Sequence, residues 1–370
     1  MQNDIIFCDR CGCELTRDSV HYFEDEYFCS ECLDDATVIC NHCGERIWDD
    51  DNNGTDSFPL CQRCYDNHYT TCEDCGRVIH YDDCNYLYDD DDIAYCYDCY
   101  NRHNNGPIRD YSYKPDPEFY GEGDRYFGVE LEVDEGGKIG DNAQALIDLA
   151  NVLSEHIYIK SDGSLNDGME IVTHPMTLDY HRTTMPWERL CGKAIHLRYK
   201  SHKTTTCGLH IHVNRTAFGE TREEQDEAIS RVLYFVEHHW AELLKFSRRT
   251  EYAMNKWAAR YGYKHDPKEI MENAKKGGNG RYACVNITNW NTIEFRMFRG
   301  TLKANTIIAT LELVDKVCDL ALYLTDKEIA NVSWTTFVKT LDATKHKELI
   351  AYLKERQLYV NDPIDFMEDD

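Results

Sequence analysis

The sequence predicts an α+β domain preceded by three small cysteine-rich modules. Of the 18 cysteines in the 370-residue chain, 14 lie between Cys8 and Cys99. After residue 123, segments that alternate apolar and polar residues are interspersed with segments that have the period of amphipathic helices. We therefore expect the modules within 1–100, a Pro- and Gly-rich linker at 101–123, and at 124–370 an antiparallel sheet with helices on one side.

The N-terminal cysteines form a repeat with a period of 32 residues. Each repeat opens with Cys-x-x-Cys-Gly, at Cys8, Cys40 and Cys72, and closes with a second Cys-x-x-Cys. Between the two pairs lie 17, 17 and 20 residues, a spacing that suits a tetrahedral structural zinc site. The modules, at about 8–32, 40–64 and 72–99, resemble LIM-type or treble-clef zinc knuckles. The predicted zinc ligands are Cys8, Cys11, Cys29, Cys32, Cys40, Cys43, Cys61, Cys64, Cys72, Cys75, Cys96 and Cys99.

A reducing compartment favours metal ligation over disulfides for these cysteines. The N-terminus has no basic segment followed by an apolar one, so we expect a cytoplasmic protein. No segment approaches 18 consecutive apolar residues, which predicts no membrane span. Cys13 and Cys84 fall outside the repeat and are expected to be unligated.

The chain is strongly acidic, with a formal net charge of −27. Residues 1–110 hold 7 Arg and no Lys against 26 Asp or Glu. Such a surface repels phosphate backbones, so we expect no nucleic-acid partner. Zinc modules of this charge are better suited to a peptide or protein partner.

The pattern after residue 123 predicts these strands and helices. The strands are Tyr126–Asp134, Ile157–Lys160, Met169–Val172, Leu209–Asn214, Tyr282–Thr288 and Thr292–Phe298. The helices are Asp141–Glu155, Leu178–Tyr199, Thr221–Phe246, Lys303–Leu324 and Lys345–Arg356.

Two of these strands carry closely spaced acids. Glu130 and Glu132 share one strand face ~7 Å apart, close enough to flank a hard cation such as Mg²⁺. An acidic solvent face is the commoner explanation for such a pair. Glu170 opens an apolar strand, where a charge needs a metal or a cationic partner.

Two further strands carry histidines and an acid–base pair. His210 and His212 share one face after Gly208, which admits close approach of another group. Glu294 and Arg296 alternate with Ile293, Phe295 and Met297, placing them with Phe298 on the polar face. Each motif alone has a structural explanation, such as a satisfied histidine or a cross-strand ion pair. Together they indicate a site.

The order of these motifs resembles a known family. G-x-E-x-E, G-x-E-I, C-G-x-H-x-H and I-E-F-R, over about Arg125 to Leu324, are similar to the glutamine synthetase-like carboxylate–amine ligases, in particular their amidoligase branch. The resemblance implies an antiparallel glutamine synthetase-like sheet whose concave face holds ATP and two or more Mg²⁺ or Mn²⁺ ions. It also implies a reaction in which ATP phosphorylates a carboxylate and an amine then displaces the phosphate.

The resemblance also implies roles for individual residues. Glu130, Glu132, Glu170 and Glu294 would ligate magnesium, His210 would touch a metal or the ATP phosphates, and Arg296 would contact the phosphoryl group or the substrate carboxylate. His212 and Arg299 are further candidates for ATP binding. The basic loop Lys275–Arg281 could close over phosphates, or it could be a solvated hairpin loop.

We therefore expect an ATP-dependent ligase that forms an amide or isopeptide bond, with the zinc modules recruiting a peptide or protein substrate. Three alternatives stay open at this point. The first is a non-catalytic zinc-dependent adaptor, and the second is a related ATP-dependent phosphotransferase. The third is a metallohydrolase that uses His210 and His212 without ATP.

Overall fold

The computed structural model describes residues 6–16, 19–86, 92–100, 106–278 and 280–360. The chain divides into two compact units, residues 1–104 and residues 105–370. The first five residues of the expected linker, 101–105, lie outside the described residues. Within the part of the chain that the structure describes, every helix is too short or too polar to cross a membrane.

The first unit repeats a small antiparallel hairpin followed by a helical segment. The first cysteine pair of each module lies in the hairpin turn, and the second pair opens the helix. The hairpins pair Ile6–Phe7 with Glu14–Leu15, Thr37–Ile39 with Arg46–Trp48, and Tyr69–Thr71 with Val78–His80; the first module adds His21–Phe23 with Glu26–Phe28. The helical segments are Ser30–Ala36, Gln62–His68 and 97–100, with single 3₁₀ turns at Asp49–Asp51 and Tyr81–Asp83.

The second unit is built on a sheet of seven strands, numbered here in chain order. They are β1 Ile108–Arg109, β2 Phe127–Val133, β3 Ile157–Lys160, β4 Met169–Thr173, β5 Gly208–Asn214, β6 Val285–Asn286 and β7 Thr292–Arg299. Their order across the sheet is β6-β7-β5-β2-β4-β3-β1. All neighbouring pairs are antiparallel except β1 and β3, which are parallel.

The parallel edge corrects two expectations. The sheet is mixed rather than wholly antiparallel, because Ile108 and Arg109 pair with Ile159 and Lys160. These two residues lie in the segment expected to be a linker. Ile108 is 4% exposed and belongs to the hydrophobic core, so its burial stabilises the pairing of this short segment. A strand of two residues carries too little alternation to be detected by its period.

Helices cover one face of the sheet. Their buried residues and the apolar residues of β2, β5 and β7, such as Leu131, Ile211 and Phe295, belong to one hydrophobic core. The positions between these apolar residues point to the other face of the sheet and carry the polar residues. The helices are Gly140–Ala150, Leu178–Thr183, Trp187–His196, Arg222–His238, Trp240–Ser247, Glu251–Trp257, Pro267–Lys275, Ala304–Tyr323, Asp326–Ile329, Trp334–Lys339 and Lys347–Glu355, with 3₁₀ turns at Arg215–Phe218 and Gly280–Tyr282.

Two predicted helices are each divided in two. The break in 178–199 falls at Pro186, which has no N–H to donate and serves as the N-cap of the next helix. The break in 221–246 falls at His239, whose backbone leaves the helical region while its buried ring bonds to the carbonyl of Val332 at 2.9 Å. The strand predicted at 282–288 shrinks to β6, because the side chain of Asn286 accepts the N–H of Thr288 and turns the chain.

His181 is a fully buried histidine on the helical side of the sheet. Its Nε2 lies 3.0 Å from the carbonyl oxygen of Phe127, whereas its Nδ1 has no hydrogen-bond partner among the described residues. Burial lowers the pKa of His181 to about 4, since the protonated ring would hold an unsatisfied charge.

This depressed pKa predicts an acid-sensitive fold. The unfolded chain takes up a proton near pH 6.5 and the folded chain only near pH 4, so the stabilisation is complete above pH 6.5 and is lost as the pH falls. His181 alone should lower the free energy of unfolding by about 2 kcal/mol between pH 7 and pH 5. Denaturant unfolding at the two pH values measures this. In His181→Phe the decrease in the free energy of unfolding between pH 7 and pH 5 should be about 2 kcal/mol smaller than in the wild type. An equal decrease in both proteins would contradict the depressed pKa of His181.

Candidate functional site

Three groups of four cysteines in the first unit could each hold one zinc ion. In each group the four sulfur atoms lie within 4.8 Å of one another, and the twelve cysteines are those predicted from the spacing. Across the pairs, the sulfur of Cys11 lies 3.9 Å from that of Cys29, Cys43 lies 3.9 Å from Cys61, and Cys75 lies 3.8 Å from Cys96.

Local geometry brings the second cysteine pair of a module together. Cys29 and Cys61 are the N-caps of their helices, and each sulfur accepts the backbone N–H of the cysteine three residues later. In the first knuckle, the backbone N–H of Cys11 lowers the pKa of Cys8 to about 6. A thiolate is the form of cysteine that binds zinc, so these N–H donors suit the residues to a metal site.

The predicted polar residues of the second unit meet on one face of the sheet. Strand register places Glu130 of β2 opposite His210 of β5, and Glu132 opposite Glu170 of β4. His212 lies opposite Glu294 of β7. This register brings Glu130 and Glu294, which are 164 positions apart in the chain, close to His210.

Two groups of possible metal ligands share His210. One consists of Glu130, His210 and Glu294, and the other of Glu132, Glu170 and His210; within each, the ligand atoms lie within 4.8 Å of one another. His210 Nδ1 is 3.3 Å from Glu130 Oε2 and 3.7 Å from Glu294 Oε1, while His210 Nε2 is 4.0 Å from Glu132 Oε1. Carboxylate-rich sets of this kind suit Mg²⁺ or Mn²⁺.

The crowded surroundings shift the pKa values of Glu130 and Glu170 in opposite directions. Burial opposes ionisation of Glu130, but the His212 and His210 rings hold its pKa well below the usual range. Burial and the charge of Glu130 raise the pKa of Glu170 well above its usual range, despite Lys160 Nζ at 3.3 Å. A bound divalent cation would relieve this repulsion, which is a further reason to regard the groups as metal sites.

His212 lies beside the first group of ligands. Its Nε2 is 3.1 Å from Glu130 Oε1 and its Nδ1 is 3.3 Å from Thr292 Oγ1. Burial opposes protonation of His212, but the charges of Glu130 and Glu294 raise its pKa overall.

Gly208 permits the close packing around Glu132. Its backbone N–H donates to Glu132 Oε2. A Cβ atom at this position would lie 2.6 Å from His210 Nε2 and 2.4 Å from Arg249 Nη2, so a larger residue would displace at least one of these side chains. Arg249 is a cation that the sequence motifs did not reveal. Burial lowers its pKa to about 10, although the negative charge of Glu132 acts to raise it.

Glu294 is oriented by two donors. Arg296 Nη1 donates to Glu294 Oε1, and Asn286 Nδ2 of β6 donates to Glu294 Oε2 at 2.8 Å. Asn286 was not predicted as a site residue; its signal in the sequence is a polar side chain next to Val285 in an apolar strand. Glu294 and Arg296 both lie on β7, so their ion pair is a contact within one strand and not between strands.

A bulge in the β5–β7 pairing corrects the predicted faces of β7. The register shifts between Leu209 and Ile211, so that Leu209 pairs with Phe298 and Ile211 with Phe295. Phe298 therefore turns into the core, 3% exposed, instead of sharing the polar face with Glu294. Alternation cannot reveal such a shift, because it assumes a strict period of two, which the extra residue of β7 between Phe295 and Phe298 interrupts.

Arg299, an expected ATP contact, ends β7, and Cys207 immediately precedes β5. Arg299 donates to the carbonyl of Thr204 at 3.2 Å and to that of Arg248 at 3.5 Å. Cys207 is buried, and burial raises the pKa of its thiol to about 12, which disfavours a nucleophilic role.

Asp134 organises the loops around Glu132 and Glu170. It is fully buried, and its carboxylate accepts the backbone N–H groups of Glu135, Asn166 and Asp167 and the hydroxyl of Thr206, at 2.6 to 3.1 Å. Burial opposes its ionisation, but these hydrogen bonds, that from Thr206 foremost, lower its pKa. The residue joins the end of β2 to the segments that precede β4 and β5.

Comparison with protein families gives a match over the central part of this unit. Residues 151–318 match the family model described as "putative amidoligase enzyme". The matched segment comprises 168 of the 370 residues. It includes Glu170, His210, His212, Glu294, Arg296 and Arg299, whereas Glu130 and Glu132 precede it on β2. A search of curated proteins found no match to the chain.

Proposed function

We propose that the second unit is an ATP-dependent carboxylate–amine ligase that uses Mg²⁺ or Mn²⁺ in the cytoplasm. The observation that carries this proposal is the convergence of Glu130, Glu132, Glu170, His210 and Glu294 into two adjacent groups of metal ligands. The amidoligase match and the order of the motifs support it. In this proposal the catalytic domain spans 124–370, and its sheet corresponds to the ATP-binding sheet of glutamine synthetase-like ligases.

The proposed reaction has two steps. A carboxylate oxygen of the first substrate attacks the γ-phosphorus of ATP, which forms an acyl-phosphate and breaks the bond to ADP. The amine of the second substrate then attacks the acyl carbon, phosphate leaves, and the nitrogen loses a proton to solvent, giving an amide or isopeptide bond. Phosphoryl transfer of this kind depends on positioning and charge neutralisation more than on covalent work by the protein.

The side chains of the polar face meet these requirements. The four glutamates and His210 would hold the cations, and the cations when bound would neutralise charge on the phosphate oxygens. Arg296 and Lys160, each paired with a carboxylate of the site, place positive charge around the reacting oxygens. Arg299 and His212 are proposed as further contacts to ATP.

We also propose that each cysteine group holds one zinc ion and that the modules recruit a peptide or protein substrate. The surface of the first unit offers large aromatic side chains, with Tyr22 exposed by 62% and Tyr97 by 52%. Its excess of acidic residues favours a partner segment with Lys or Arg.

Nucleotide binding tests the ligase function. We expect a non-hydrolysable ATP analogue to bind the full chain in calorimetry with Mg²⁺, with affinity at least about tenfold weaker after chelation. With ATP and an amine-bearing peptide, ADP and phosphate should be released in equal amounts. Absence of nucleotide binding would favour the adaptor. ADP release without phosphate would favour a phosphotransferase, and cleavage of the peptide by water without ATP would favour a hydrolase. Each of these results would contradict the ligase.

A further inference from the structure

A bridge of three side chains crosses the polar face above the candidate metal groups. It consists of Tyr111, Arg281 and Tyr282. Arg281 donates through Nη1 to the hydroxyl of Tyr111 and through Nη2 to the hydroxyl of Tyr282, the latter at 2.9 Å. Its guanidinium carbon lies 5.8 Å from the centre of the Tyr111 ring and 5.0 Å from that of Tyr282.

The two ends of the bridge come from opposite edges of the sheet. Tyr111 follows β1, and Arg281 and Tyr282 precede β6, the strand at the other edge. Five strands separate these edges, which would be roughly 29 Å apart in a flat sheet. Residues 111 and 281 can therefore meet only over a face of the sheet.

Contacts below the bridge identify that face as the polar one. Lys160, which pairs with Glu170, has its Nζ 5.7 Å from the centre of the Tyr111 ring. Arg296, which pairs with Glu294, has its guanidinium carbon 6.0 Å from the centre of the Tyr282 ring. The bridge thus connects, through one cation at each end, to a carboxylate of each candidate metal group.

Arg281 is poorly matched to its partners in the bridge. It is exposed, and no carboxylate among the described residues lies within ion-pair distance of it. It is held by two neutral phenol oxygens, which are weaker acceptors for a guanidinium than a phosphate or carboxylate oxygen. An anionic group that enters the face can therefore replace them.

Two glycines in the segment that precedes Arg281 have positive φ. Gly277 and Gly280 have φ of 72° and 52°, a conformation that disfavours other residues. A Cβ atom at either position would meet no atom within 4 Å, so these glycines serve the backbone conformation and not close packing.

We propose that Tyr111, Arg281 and Tyr282 form a gate over the polar face, and that Arg281 leaves the tyrosines to bind the anionic group of a substrate. The anion is either the phosphate chain of the nucleotide or the carboxylate that is to be activated. This inference deepens the proposed function and rests on it for the identity of the substrates. The anion-binding step itself does not require turnover.

Two variants with opposite expected effects test the gate. Binding of inorganic tripolyphosphate with Mg²⁺ and of glutarate is measured by calorimetry, so that the first probe represents the nucleotide and the second the substrate carboxylate. Arg281→Ala should weaken one of the two by at least about tenfold, because a charge-assisted contact is lost. Tyr111→Phe keeps the ring but removes one competing acceptor, so it should strengthen binding of the same anion by about three- to fivefold.

Exposed residues away from the face provide matched controls. Arg189→Ala and Tyr323→Phe should leave both affinities unchanged, since both side chains are solvent-exposed on helices that pack on the core side of the sheet. A gate is contradicted if wild type binds neither anion, if Arg281→Ala binds both as wild type does, or if Tyr111→Phe weakens binding. If Arg281-dependent anion binding is found but ATP yields no amide, the gate stands and the proposed ligase function fails.

Discussion

Replacing Glu130 by glutamine is expected to lower kcat/KM for ATP-dependent amide formation by at least about a hundredfold. The change removes one carboxylate from the group formed by Glu130, His210 and Glu294 and leaves the group of Glu132, Glu170 and His210 intact. The shape of the side chain and its position opposite His210 are retained. Steady-state kinetics with saturating Mg²⁺ would measure the loss.

Metal stoichiometry gives the same variant a second readout. If each group holds one ion, Mn²⁺ titration followed by electron paramagnetic resonance should fall from two ions per chain to one in Glu130→Gln. Glu135→Gln is a matched control, because Glu135 lies just past the end of β2 and forms an ion pair with Lys200. The side chain of Glu135 is 45% exposed. The control should keep wild-type kinetics and two ions. Wild-type kcat/KM together with two ions in Glu130→Gln would refute the assignment of Glu130.

The second large effect concerns zinc. Cys64→Ser is expected to reduce the zinc content from three ions per chain to two, because Cys64 is a buried member of the second cysteine group. Structural zinc contributes about 10–16 kcal/mol to the folding of small zinc-finger peptides, more than a module of this size can lose and remain folded. Zinc content by mass spectrometry and amide hydrogen exchange over residues 37–68 would measure the loss of metal and of structure.

An exposed cysteine provides the control for this experiment. Cys13 lies outside the three groups, so Cys13→Ser should retain three zinc ions and wild-type exchange. A wild-type zinc content in Cys64→Ser would show that the second group does not bind the metal. Loss of exchange protection confined to residues 37–68 would show that the modules fold separately.

Several features of the site could be predicted because they are local. Four cysteines in two Cys-x-x-Cys turns meet by closing a hairpin and capping a helix, and the 32-residue repeat makes this visible three times. In the second unit, alternation correctly placed Glu130 and Glu132 on the face opposite Leu131, since side-chain direction in a strand has a period of two. The mixed helix-and-strand composition followed from the same periodicities.

Other features depend on pairing between distant segments. Asn286 and Lys160 contact the glutamates only because β6 lies beside β7 and β3 beside β4. The bulge that turns Phe298 into the core exists only in the pairing of β5 with β7. Tyr111 lay in a segment expected to be a linker, and only the tertiary structure brings it to Arg281, 170 residues away.

The sequence by itself determined which residues are available for chemistry: the cysteine sets, the acids, the two histidines and the faces of the strands that carry them. Only the tertiary structure decided that Glu130 and Glu294 share His210 and that a bridge crosses the polar face above them. The physical reason is that the direction of a side chain is set by its own backbone. The register and order of strands are set instead by burial of one common core, to which residues far apart in the chain contribute together.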